Sequence, residues 1–126
     1  WCLGHQAIGV AAGWNLVESP LGAVHGVPSR ITHDGSGLFQ KASENVVMMR
    51  YNSLVLEATN EDIKANSWDE SGSLIMGLSH PHLPIDGVQF HPESVGSPDG
   101  LALLKTFLTS SPQYIKSEVN KQVRQP

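Results

Sequence analysis

The dipeptide His91-Pro92 restricts this chain more than any other feature. Proline disfavours the helical region for the residue before it, so His91 must be extended. The run Val88-Gln89-Phe90 leads into it and reads as a short buried strand. His91 and Glu93 are two residues apart, so in extended chain their side chains leave on the same side. A carboxylate beside an imidazole fixes its tautomer and stabilises its cation. What this pair lacks locally is a nucleophile. The single cysteine, Cys2, stands at the other end of the chain. A lone Cys with a distant His is a candidate catalytic pair that only folding can assemble.

Leu3, Ala7, Ile8, Ala11 and Ala12 recur at helical spacing, and Gly13 follows as a stop signal. Cys2 therefore precedes a helix running to about Ala12. A nucleophile between a strand and a helix is a nucleophile elbow, which exposes the reacting atom at the rim of a sheet. Gly4 is expected to allow the sharp turn and close packing. Gln6, four residues after Cys2, lies about one helical turn further on. On position alone, Cys2 reads equally well as a buried apolar residue. A helix N-terminus beside an imidazolium favours the thiolate and hence catalysis.

Composition excludes some functions. The net charge is -4 with no basic cluster, so no nucleic-acid footprint is present. No apolar run is long enough to span a bilayer. One cysteine permits no intrachain disulfide, which suits a reducing compartment and gives a cytoplasmic expectation, with a plastid the alternative. Trp1 directly precedes the proposed nucleophile, where most of a strand is expected, so the chain reads as a fragment whose N-terminal part is missing.

Between the termini, short strands are predicted at Asn15–Glu18, Arg30–His33, Val46–Arg50, Leu54–Ala58, Ile63–Trp68, Leu74–Leu78 and Val88–Phe90. Asp69-Glu70-Ser71-Gly72 reads as a hairpin turn, and His25-Gly26 and His33-Asp34 as turn residues. Ser97 can cap a helix and Pro98 can occupy its first position, with Leu101, Leu104 and Leu108 as its stripe. Residues 1–110 read as the C-terminal part of one domain, and the polar segment 111–126 as a tail or linker. Helices at both ends with antiparallel strands between them give an α/β class. His80-Pro81-His82 lacks a third ligand and is read as an exposed loop, so no metal is expected. His5 is read as a packing residue near the nucleophile. No phosphate- or dinucleotide-binding glycine motif is present.

Three blocks carry a resemblance: Cys2-Leu3-Gly4-His5-Gln6, Arg50-Tyr51-Asn52-Ser53-Leu54 and Gly87-Val88-Gln89-Phe90-His91-Pro92-Glu93-Ser94. In this order and spacing they resemble class I glutamine amidotransferases, and more closely the glutaminase components of aminodeoxychorismate and anthranilate synthases. The likeness covers about residues 1–109. It implies a flavodoxin-like three-layer α/β/α fold and hydrolysis of L-glutamine through a cysteine thioester, without a cofactor. Cys2 would be the nucleophile, His91 the proton carrier and Glu93 its orienting partner. By the same match Leu3 lends its N–H to an oxyanion hole, and Gln6, Ser53 and Leu54 hold glutamine. The ammonia would pass to a chorismate-aminating synthase subunit or fused domain.

Two departures stand out. Asn52 replaces the usual histidine of its block, which implies tuning of the glutamine contacts. The family also has upstream strands and a glycine-proline-glycine loop that donates a second oxyanion hydrogen bond. Loss of one such donor costs on the order of 10²–10³ in rate. The chain alone is therefore expected to be poorly stable and nearly inactive. The aminodeoxychorismate reading leads over anthranilate synthase, on the His91–Ser97 run and the Pro20–His25 segment. Two other classes are an inactive docking module and a different Cys-His hydrolase on the same fold, the latter opposed by Gln6 and the Ser53-Leu54 pair.

Overall fold

The structure, a computed structural model, describes residues 1–110. The expected tail, 111–126, lies outside the described residues. In chain order the elements are α1 (Leu3–Ala11), β1 (Asn15–Glu18), β2 (Val24–His33), a short 3-10 turn (Gly37–Phe39), β3 (Asn45–Asn52), β4 (Leu54–Glu57), β5 (Lys64–Trp68), β6 (Ile75–Ser79), β7 (Asp86–Val88) and α2 (Gly100–Ser110).

β3-β2-β5-β6-β7 form a five-stranded sheet, and β1 pairs with β4 in a separate ribbon. Every described pair is antiparallel. The turn after Trp68 forms as expected, because Asp69 accepts the Leu74 N–H at 3.0 Å and the Ser71 hydroxyl at 2.8 Å. His25-Gly26 is not a turn. It lies within β2, where the register slips between His25 and Val27, and Gly26 takes φ 67°, which suits the extra residue of a bulge. β3 and β4 follow one another but join different sheets, so Ser53 marks a corner between them.

Two apolar clusters hold the fold. One gathers Ile31, Phe39, Met48, Met76, Phe90 and Leu103, and the other Trp14, Leu56, Ile63, Ile75 and Leu78. α1 supplies Ile8 to the second, and Ala12 at its C-cap packs there too. α2 supplies Leu103 to the first. Both helices depart from the expected stripes. On α1 the fully buried positions are His5 and Gly9, while Leu3 is 76 % exposed. Gly9 is needed there, since a Cβ would lie 2.6 Å from Leu56 Cδ2. On α2, which starts at Gly100, two residues later than Pro98 suggested, Leu101 and Leu108 face out and Leu103 faces in. No helix of the described residues is long and apolar enough to cross a membrane.

Candidate active site

Cys2 caps α1 from a strained backbone, with φ 50° and ψ -106°. It is the one non-glycine residue at positive φ among the described residues. Such strain persists where the surroundings enforce it, and it clusters at functional sites. Here the Cys2 N–H donates to the Val88 carbonyl at 2.8 Å, while the Cys2 carbonyl accepts the Gln6 N–H at 3.0 Å. One side of Cys2 is thus tied to the end of β7 and the other begins the helix. The elbow is made by Cys2 itself. Gly4 has negative φ, and a Cβ there would meet nothing within 4 Å among the described residues, so the role expected of that glycine is not seen.

His91 leaves β7 three residues later. Its N–H donates to the Met49 carbonyl at 2.9 Å, forming a bridge to β3. Its carbonyl accepts the Ser97 hydroxyl at 2.6 Å, and the Ser97 oxygen in turn accepts the Met49 N–H at 2.7 Å. Ser97 therefore pins His91 to β3 and does not cap α2, as the sequence suggested. Asp99 adds a second tie by accepting the Val47 N–H at 2.9 Å. The turn rests on α2, where Gly100 lies so close to Pro92 that a Cβ would be 2.6 Å from the Pro92 carbonyl carbon.

Glu93 meets His91 as the two-residue spacing predicted, with Nδ1 to Oε1 at 2.7 Å. A carboxylate only accepts, so Nδ1 carries the proton of this contact, and in the neutral ring Nε2 keeps its lone pair. The His91 side chain is 24 % exposed and that of Glu93 is 43 % exposed, so the site is open on the carboxylate side. The Tyr51 ring stands edge-on to the imidazole, 5.2 Å between centroids at 88°. Among the described residues no hydrogen bond joins Cys2 Sγ to His91.

Gln6 Nε2 donates to the Leu54 carbonyl at 3.3 Å, which joins the first and second blocks. Leu3 presents its backbone; its N–H belongs to the first helical turn, whose donors lack intrahelical acceptors. Ser53 is exposed at the corner after β3, and its carbonyl accepts the Ser19 N–H at 2.9 Å. Asn52 is buried. Its Oδ1 accepts from Arg50 Nε and its Nδ2 donates to the Leu54 carbonyl, both at 3.3 Å.

Two residues at this site escaped the sequence reading. Ser97 is one, and Gln89 the other. Gln89 is fully buried, accepts from Gln6 Nε2 at 3.1 Å and donates to Cys2 Sγ at 3.7 Å. The signal was there, since a glutamine inside an otherwise apolar strand must find partners. His5 packs under the elbow against Gly87, where a Cβ would lie 3.1 Å from its Nδ1. Burial lowers its pKa from 6.5 to about 4, partly offset by the Gly87 backbone. Both ring nitrogens lack a hydrogen-bond partner. No group of three or more metal-ligating side chains occurs among the described residues.

Residues 2–111 match the family described as glutamine amidotransferase class-I. The anthranilate synthase component 2 of Cyanophora paradoxa is 39 % identical over 110 residues, covering 85 % of this chain and 57 % of the relative. The aminodeoxychorismate synthase of Streptomyces griseus is 42 % identical over 106 residues, covering 84 % of this chain and 14 % of the relative. The crystal structure of a glutamine amidotransferase from Thermotoga maritima superposes with a TM-score of 0.64 at 17 % identity, over 99 % of this chain and 49 % of that one. The chain thus spans little more than half, or less, of the proteins it matches.

Proposed function

Because the chain belongs to the class-I glutamine amidotransferases, we propose that Cys2, His91 and Glu93 hydrolyse the side-chain amide of L-glutamine and that the ammonia serves a chorismate-aminating synthase. The observation that carries this is the strained elbow. Cys2 is bonded to the end of β7, and the same strand delivers the His91–Glu93 pair.

In this reading Cys2 gives its proton to His91 Nε2, and the sulfur attacks the amide carbon. The amide oxygen becomes an oxyanion beside the Leu3 N–H, a position where a fixed donor acts most strongly on the transition state. When the C–N bond breaks, His91 returns the proton to nitrogen and ammonia leaves. Water then attacks the thioester and gives a proton to His91. The C–S bond breaks, glutamate departs and the thiol takes the proton back. Glu93 stabilises the imidazolium at both stages. Gln6, Ser53 and Leu54 hold the substrate.

We further propose aminodeoxychorismate as the synthase product, served in the cytoplasm, on the likeness of the His91–Ser97 and Pro20–His25 segments. Anthranilate synthase is the second reading, since relatives of both names match at similar identity.

The test is labelling with a glutamine-analogue diazoketone, followed by mass spectrometry. The expected result is a covalent adduct on Cys2, slowed by L-glutamine and absent from Cys2→Ala. Labelling that L-glutamine does not slow, or an adduct elsewhere, refutes the reading and leaves a docking module. Adding each synthase with chorismate and glutamine then separates the products: amination by the anthranilate enzyme alone overturns the choice of pathway.

A further inference from the structure

We propose that Gln89 is a positioning residue that aims an N–H at the Cys2 sulfur and holds it in the reactive place. The inference rests on the reading of Cys2 as the nucleophile and adds a residue to that site. It starts from a carbonyl, which can only accept. Gln6 donates to the Leu54 carbonyl at 3.3 Å, so its NH₂ group must face that way. The same NH₂ lies 3.1 Å from Gln89, and it needs an acceptor there, so Gln89 turns Oε1 toward it. An amide has one oxygen and one nitrogen. With Oε1 committed, Nε2 is left facing Cys2 Sγ, at 3.7 Å.

Leu54, on another sheet, thus decides through two side chains which end of Gln89 meets the sulfur. Gln89 is fully buried, and its backbone N–H donates to the Met76 carbonyl at 2.9 Å, which fixes its main chain. An N–H directed at sulfur favours the thiolate over the thiol. It also places the sulfur beside the group that contacts Gln6, so the nucleophile and the glutamine-binding side chain share one anchor. The His91–Glu93 couple stands two residues further along the same chain segment and acts on the proton; Gln89 acts on the sulfur.

A hydrogen bond to a charged group contributes enough for at least about tenfold in an equilibrium. Removing the donor should shift the ratio of thiolate to thiol toward the thiol about tenfold. The remaining thiolate becomes more nucleophilic, so alkylation should slow by less, at most roughly threefold.

The experiment compares the 126-residue chain with Gln89→Met, which keeps the length of the side chain and removes both hydrogen bonds. The readouts are the ultraviolet thiolate band and the rate of Cys2 alkylation by iodoacetamide at one neutral pH, with circular dichroism to confirm the fold. The expected result is a weaker thiolate band and slower alkylation. A merely structural role predicts the opposite sign in the second readout, because a loosened elbow exposes the sulfur and speeds alkylation. An unchanged band or a faster reaction overturns the proposal. If Gln89→Met does not fold, Gln6→Met provides the test: it leaves Gln89 in place but frees its amide to turn, so the band should still weaken, and an unchanged band overturns the proposal. Iodoacetamide does not use the glutamine site. Failure of L-glutamine to protect Cys2 would therefore refute the glutaminase reading without touching this comparison.

Discussion

Acid should weaken this protein through one side chain, His5. The ring is fully buried on α1, with neither nitrogen in a hydrogen bond. Burial holds its pKa at about 4 against 6.5 for a free histidine. Between those values the unfolded chain binds a proton that the folded protein refuses. Stability is therefore full above about pH 6.5 and falls as the pH drops toward about 4. The gap in pKa corresponds to about 3 kcal/mol, a large share of the 5–15 kcal/mol typical of a folded domain.

Urea unfolding of the chain and of His5→Leu, at several values between about pH 7 and about pH 4, isolates this term. Carboxylates and the other histidines titrate in both proteins and cancel in the difference. The leucine variant should gain on the parent by about 3 kcal/mol across that range. A difference that does not change with pH would refute the reasoning and show that the ring takes up a proton in place. Because His5 lies in the first turn of α1, which Cys2 caps, the same acid transition should release the elbow.

Other outcomes follow from the same geometry. In a reconstituted glutaminase assay, His91→Ala should lower turnover by about 10²–10⁴, and Glu93→Gln by less, because Glu93 is 43 % exposed and water partly replaces it. Equal losses would contradict that order. Gly100→Ala should destabilise by about 1–3 kcal/mol or more, since its Cβ would run into the Pro92 backbone; a wild-type melting temperature would refute that contact. Asp86→Asn should stabilise the chain at neutral pH. Burial raises the Asp86 pKa, so its contribution is fullest below the ordinary carboxylate pKa and is lost as pH rises through the raised value. Parent and variant should therefore diverge with rising pH in a thermal melt, and curves that stay parallel would count against it.

Local chemistry was legible where neighbours in sequence are neighbours in space. The His91–Glu93 contact follows from two-residue spacing and the proline between them. The turn after Trp68 follows from Asp69 and Gly72, and α1 stops where Gly13 takes φ 91°. On both helices, where the rule depends on which face is buried, the sequence misled in part. Leu3, Leu101 and Leu108 are apolar at helical spacing yet exposed. Ser97 stands where a cap belongs but is taken by His91 and Met49. Periodicity gives a stripe; it does not say what the stripe meets.

The amino-acid order by itself determined which groups could react: one thiol, one imidazole with its carboxylate, and three blocks in family order. Tertiary structure alone decided how the thiol is held. The strain at Cys2 exists because Val88 and the first turn of α1 pull its backbone from two sides. The orientation of Gln89 exists because a carbonyl at Leu54 cannot donate. Contacts between residues dozens of positions apart leave no periodic trace along the chain, since they are selected by packing and by the demand that each buried polar atom find a partner.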